Sequence, residues 1–147
     1  MPAPFAMGYD YSNGASEKVA QDNISLQLAN GNLITTPNDL ATWGRKLYTG
    51  QAGLNKKSVS LMMDVIPIND TDGYGLGCQY VESLGYGHSG AVRGYLSTMI
   101  YDPENDLTIV IFTSVLNWGD PINELALLQN VSHNIREILC YFEKESI

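Results

Sequence analysis

Apolar positions fall into distinct rhythms along this 147-residue chain. Leu40, Trp43 and Leu47 recur at i, i+3 and i+7, the spacing that lines one face of a helix. Thr36 can cap that helix with its hydroxyl, Pro37 suits the first helical position, and Asp39 favours the positive end. Gly50 ends it. A shorter helix is expected over residues 56–66, with Val59, Met62, Met63 and Ile66 inward and Pro67 as the stop. After Pro67 the rhythm changes: residues 74–82, 94–102 and 107–115 read as extended, the last rich in β-branched side chains. Pro103, Glu104, Asn105 and Asp106 have the composition of a turn that closes an antiparallel hairpin. The nearly unbroken apolar run of 107–115 predicts a strand covered on both faces. Asp120 and Pro121 then open a long helix whose apolar face is Leu128, Val131, Ile135, Ile138 and Phe142.

The expected architecture is α+β: an antiparallel sheet packed against a long C-terminal helix and preceded by helices. The chain reads as one unit over residues 1–147. Residues 1–32 form irregular loops broken by Pro and Gly, 33–66 a helical part, and 67–147 the sheet with its helix.

Composition narrows the chemistry. With 44% hydrophobic and 16% charged residues, the chain can bury a core. Its formal charge of -8, with no basic cluster, argues against nucleic acid as a partner. No apolar run approaches the roughly 20 residues that span a bilayer, and no signal peptide is visible. Cys78 and Cys140 are too isolated for a metal site and read as plain buried or half-buried thiols. No metal and no cofactor is implied.

The informative stretch is residues 87–103, GHSGAVRGYLSTMIYDP, continuing into ENDLTIVIFTS. His88, Ser89 and Gly90, followed by Gly94, Tyr95, Ser97 and the Asp102–Pro103 strand end, resemble the third active-site motif of the serine β-lactamase and penicillin-binding protein superfamily. That motif is Lys or His, then Thr or Ser, then Gly. Class C β-lactamases and D-alanyl-D-alanine carboxypeptidases are the most similar branches. NGNLITTPNDLATWGRKLYTG over residues 30–50 resembles the family's segment ahead of a helix. Tyr74-Gly75-Leu76-Gly77 resembles its strand start before the third motif, and residues 117–124 its approach to the C-terminal helix. The resemblance covers most of residues 30–140 and implies a partial β-lactamase/transpeptidase-like fold.

In such enzymes a serine attacks an amide or β-lactam carbonyl, and water opens the acyl-enzyme. The resemblance implies that His88 helps to bind the substrate carboxylate and supports proton transfer. It gives Ser89 a hydroxyl for the same carboxylate and Gly90 a bare strand surface. It gives the backbone N–H of Ala91 half of the oxyanion hole. The implied substrates are a D-alanyl peptide, a β-lactam or an ester, and the implied location of the parent protein is extracytoplasmic.

The family's first motif, Ser-x-x-Lys, is not found in these residues. Ala15, Trp43, Gly53, Leu54 and Tyr141 stand three places before Lys18, Lys46, Lys56, Lys57 and Lys144. The expectation is therefore a C-terminal fragment without its nucleophile, inactive alone. Tyr11-Ser12-Asn13 spells the second motif, Tyr-x-Asn, but the following NGASEKVAQDN does not fit and Tyr11 reads as a loop tyrosine. Arg93 reads as solvated and His133 as a surface histidine.

Two other readings stand beside this one. A degenerate relative could serve as a non-catalytic peptidoglycan-binding or interaction module. A sheet lacking strands would expose an edge that invites homo-oligomers. Gly87-His88-Ser89-Gly90-Ala91 also approximates the α/β-hydrolase nucleophile elbow, which needs a strand before Ser89 and a helix after it.

Overall fold

The computed structural model describes residues 5–20, 27–28 and 30–145. Among the described residues there are three α-helices, and nine strands form two sheets. In the larger, six strands run antiparallel in the order β3 (Ile66–Pro67), β4 (Asp72–Tyr74), β5 (Gln79–Val81), β6 (Gly85–Val92), β7 (Tyr95–Asp102), β8 (Leu107–Thr113). Spatial order follows chain order, as short hairpin connections demand. The smaller sheet sets β1 (Tyr9–Asp10) between β2 (Glu17–Lys18) and β9 (Val115–Leu116), parallel to β9.

Helices cover both faces of the large sheet. On one lies α1 (Pro37–Tyr48), capped by the Thr36 hydroxyl, which accepts the Asp39 amide at 3.1 Å. Gly44 allows the close approach: a Cβ there would lie 2.7 Å from the Met99 sulfur. Leu47, Tyr48, Cys78, Met99 and Tyr101 form the core on that side. α2 (Lys56–Met62) follows, capped by Asn55. On the opposite face α3 (Pro121–Glu145) buries Leu128 against Leu96 and Leu116. The α+β architecture and the hairpin turn at residues 103–106 are as the pattern predicts; Asp102 accepts from the Glu104 amide and from the Asn105 side chain.

Several positions differ from the periodicity. Trp43 is 47% exposed, while Gly44 and Tyr48 join Leu47 in the buried face of α1. α2 ends at Met62, four residues short of the expected end at 66, and Ile66 and Pro67 instead pair with β4 as a strand. On α3 the inward positions are Leu125, Leu128 and Ser132, whereas Val131, Ile138 and Phe142 are exposed. In this orientation Leu125 and Leu128 pack on Leu96 and Leu116, and Arg136 reaches the buried Asp102 at 2.6 Å. Residues 6–19, expected to be irregular, are fastened by the two short strands and by Asp10.

Asp10 is a buried hub. Its carboxylate accepts the amides of Ser12 and Trp118 and the guanidinium of Arg93. The Ser12 amide, followed by Arg93, Ser12's side chain and Trp118, holds this carboxyl well below the usual carboxylate range despite its burial. Three chain segments thus meet at one charge, and Arg93 is paired rather than merely solvated.

Candidate functional site

β6 carries the residues singled out by the sequence. Its inner edge pairs with β7 from Tyr86↔Tyr101 to Val92↔Tyr95. On its outer edge β5 pairs only with residues 85–87. From His88 to Val92 that edge has no strand partner among the described residues. The Gly87 amide points at the Cys78 sulfur, on the β5 side. Amide directions alternate along an antiparallel strand, so the amides of Ser89 and Ala91 point to the same side, where the edge is open. The two-residue turn at Arg93–Gly94 agrees, since Val92 and Tyr95 close it across the inner edge. Gly94 takes a φ of +80° there, and a Cβ would lie 2.8 Å from a Val19 methyl.

Side chains alternate too. His88 and Gly90 are opposite Met99 and Ser97, on the face of the sheet that α1 covers farther along, and both are exposed. The His88 Nε2 lies 2.8 Å from the Tyr74 hydroxyl, and its Nδ1 lies 2.5 Å from the Ser89 carbonyl oxygen. The two rings meet edge to face, 5.7 Å apart. Tyr74 is positioned by the β4–β5 hairpin, in which the Gly75 amide donates to Cys78 and the Leu76 amide to Met62 at the end of α2.

Ser89 departs from expectation. Its side chain is on the other face of β6, and its hydroxyl donates to Thr98, fully buried beside it, at 3.0 Å. The sequence had offered that hydroxyl to a substrate carboxylate. What Ser89 has on the open edge is its amide. The structure therefore brings together the His88 imidazole, the bare Gly90 and the Ala91 amide, with the Ser89 hydroxyl facing away. Ser89 also lies mid-strand, with strand β7 and not a helix next in the chain, so no nucleophile elbow forms.

A separate hollow lies elsewhere. A cleft of about 700 Å³ lies between the end of α1, α2 and Tyr86, lined by Tyr48, Lys56, Val59, Ser60 and Asp64 among others. It does not include His88. Tyr11, of the apparent Tyr-x-Asn, donates its hydroxyl to Glu124 on α3. Among the described residues no group of His, Cys, Asp and Glu could hold a metal ion, and no helix is long and apolar enough to cross a membrane.

An antiparallel sheet sandwiched by helices, with a His-Ser-Gly strand along an open edge, defines the scaffold of a serine-hydrolase-like protein. The Beta-lactamase family model matches residues 2–131, and the chain belongs to that family. The fold is similar to that of a D-stereospecific amidohydrolase from Streptomyces sp., at 26% identity and a TM-score of 0.69, covering 78% of this chain and 36% of that one. It is also similar to D-amino acid amidase from Ochrobactrum anthropi SV3, at 21% identity and a TM-score of 0.63, covering 97% and 44%. A penicillin binding protein from Bacillus halodurans matches at 17% identity and a TM-score of 0.62, covering 87% and 42%. The chain thus spans 36%, 44% and 42% of these three proteins.

Proposed function

We propose that this chain is the C-terminal part of a penicillin-recognising serine hydrolase that works through an acyl-enzyme. It supplies the third active-site motif to a serine and lysine encoded elsewhere. One observation carries this reading: the open edge of β6 presents an imidazole, a bare glycine and a free amide within four residues. An extended substrate lying along that edge would meet no side chain at Gly90. The Ala91 amide would donate to the developing oxyanion, with the nucleophile's own amide as the second donor. His88 would assist proton transfer near the attacked bond. Ser89 would contribute its edge amide, since its hydroxyl is engaged by Thr98. A D-alanyl peptide, a β-lactam, an ester or a D-amino acid amide fits this chemistry, and two of the similar structures are named for D-stereospecific or D-amino acid amide hydrolysis.

Taken alone, these 147 residues hold no Ser-x-x-Lys and are inactive. The reading frame upstream of the Met1 codon tests the proposal. An in-frame Ser-x-x-Lys is expected, and a frame without one would leave the non-catalytic interaction module as the better account. The outer edge of β8 has no strand partner among the described residues. Such an edge favours homo-oligomers. Sedimentation at micromolar concentration should show species larger than a monomer; a single monomeric boundary would remove that part of the proposal.

A further inference from the structure

The Tyr-Gly-Leu-Gly segment matched a family pattern without receiving a role. In the folded protein its tyrosine touches the one imidazole of the site. The Ser89 carbonyl can only accept a hydrogen bond, so the His88 nitrogen facing it, Nδ1, must carry a proton. A neutral imidazole has one N–H, and Nε2 is then the acceptor, taking the Tyr74 hydroxyl at 2.8 Å. No carboxylate is hydrogen-bonded or ion-paired to either side chain among the described residues. The pair is therefore a tyrosine donating to a histidine, with no acid behind it.

We propose that Tyr74 is a positioning residue for His88: its phenol holds the imidazole as the Nδ1–H tautomer and fixes the direction of the Nε2 lone pair. This rests on the reading of β6 as the third-motif strand. The consequence is a choice between two roles that the sequence left joined. Nε2 holds a lone pair, so His88 is arranged as a proton acceptor. A group reaching that nitrogen displaces the Tyr74 hydroxyl or works through it. Tyr74 can hold its place because its hairpin is fastened to α2 through Met62, and Gly77, with a φ of +68°, lets the hairpin turn that tightly.

The test is nitrogen NMR of the two imidazoles in the 147-residue chain, at about pH 9, where free imidazole is neutral. His133 on α3 serves as the internal reference, and His88→Asn assigns the signals. The expected wild-type pattern is a protonated Nδ1 and a bare Nε2 for His88. Tyr74→Phe keeps the ring contact and loses only the hydroxyl; it should shift the His88 signals toward the Nε2–H form that free imidazole prefers. Tyr74→Ala should do the same, with unchanged His133 signals and an intact amide spectrum reporting that the fold survives. If the phenylalanine variant keeps the wild-type pattern while the alanine variant loses it, the ring alone is responsible and the proposal is wrong. An Nε2–H tautomer in the wild type also overturns it. The readout needs neither substrate nor nucleophile, so it stands or falls separately from the upstream Ser-x-x-Lys.

Discussion

At the turn end of β7, Asp102 is buried and meets Arg136, Asn105 and the Glu104 amide; on β6, two strands from the sheet's edge at β8, His88 is exposed and held by one hydroxyl and one carbonyl. Burial pushes the Asp102 carboxyl up, yet Asn105, Arg136 and the Glu104 amide outweigh it and leave the carboxyl below its ordinary range. Asp10 repeats the design at the other end, joining the N-terminal segment, the β6–β7 turn and the approach to α3. Charge is used in these two places to fix segments far apart in sequence. At His88 both ring nitrogens are engaged, but by a neutral hydroxyl and a carbonyl on the exposed side of the sheet, with no charged partner among the described residues. A framework is over-determined so that a reactive edge can stay open.

Substitutions at four positions test that contrast. Gly87→Ala should have the largest effect, because its Cβ would lie 1.9 Å from the Met99 carbonyl oxygen, a backbone atom that cannot move aside. Loss of cooperative unfolding in urea is expected, a cost of more than about 4 kcal/mol. Arg136→Ala comes next: it leaves the Asp102 carboxylate buried without its cation, at about 3 kcal/mol by the same urea titration. Arg136→Lys should restore part of the loss.

Asp10→Asn should act through pH. Because the folded carboxyl lies below its ordinary 3.8, the unfolded chain takes up the proton first as pH falls. The stabilisation is thus fully present above that range and is lost as pH drops through 3.8 toward the folded value. Melting temperature against pH should fall more shallowly below about pH 4 in Asp10→Asn than in the wild type. His88→Ala should be the smallest, within about 0.5 kcal/mol of wild type, since the ring is exposed and its two bonds face solvent. A large destabilisation there would place His88 in the framework and end the contrast.

Local signals were legible in the sequence and long-range ones were not. Thr36, Pro37 and the 103–106 turn act within a few residues, and the structure uses them as their chemistry predicts. The inward face of α3 was not legible, because it is set by contacts far away in sequence, with Leu96 and Leu116 and with Asp102, 34 residues from Arg136. Exposure of Trp43 likewise depends on what lies over α1 and not on helical spacing. Two-residue strands such as β1 and β2 are too short for any periodicity to register. The His-Ser-Gly triplet lies on β6, in a stretch that read as extended only from Gly94 onward. Its meaning for Ser89 changed because side chains alternate across a strand, which puts neighbours 88 and 89 on opposite faces. Tyr74 was visible as a motif, but its contact with His88 depends on the register of β4, β5 and β6, which sets Tyr74 in line with Gln79 and Gly87.

The central claim is that β6 completes an acylation site whose serine lies outside these residues. Intact-mass measurement after incubation with a fluorescent penicillin tests it most directly, on the chain alone and on the chain extended through its upstream reading frame. An unchanged mass is expected for the first and one covalent adduct, at the serine of a Ser-x-x-Lys, for the second. An adduct on the 147-residue chain itself, at Ser89 or any other serine, would contradict it.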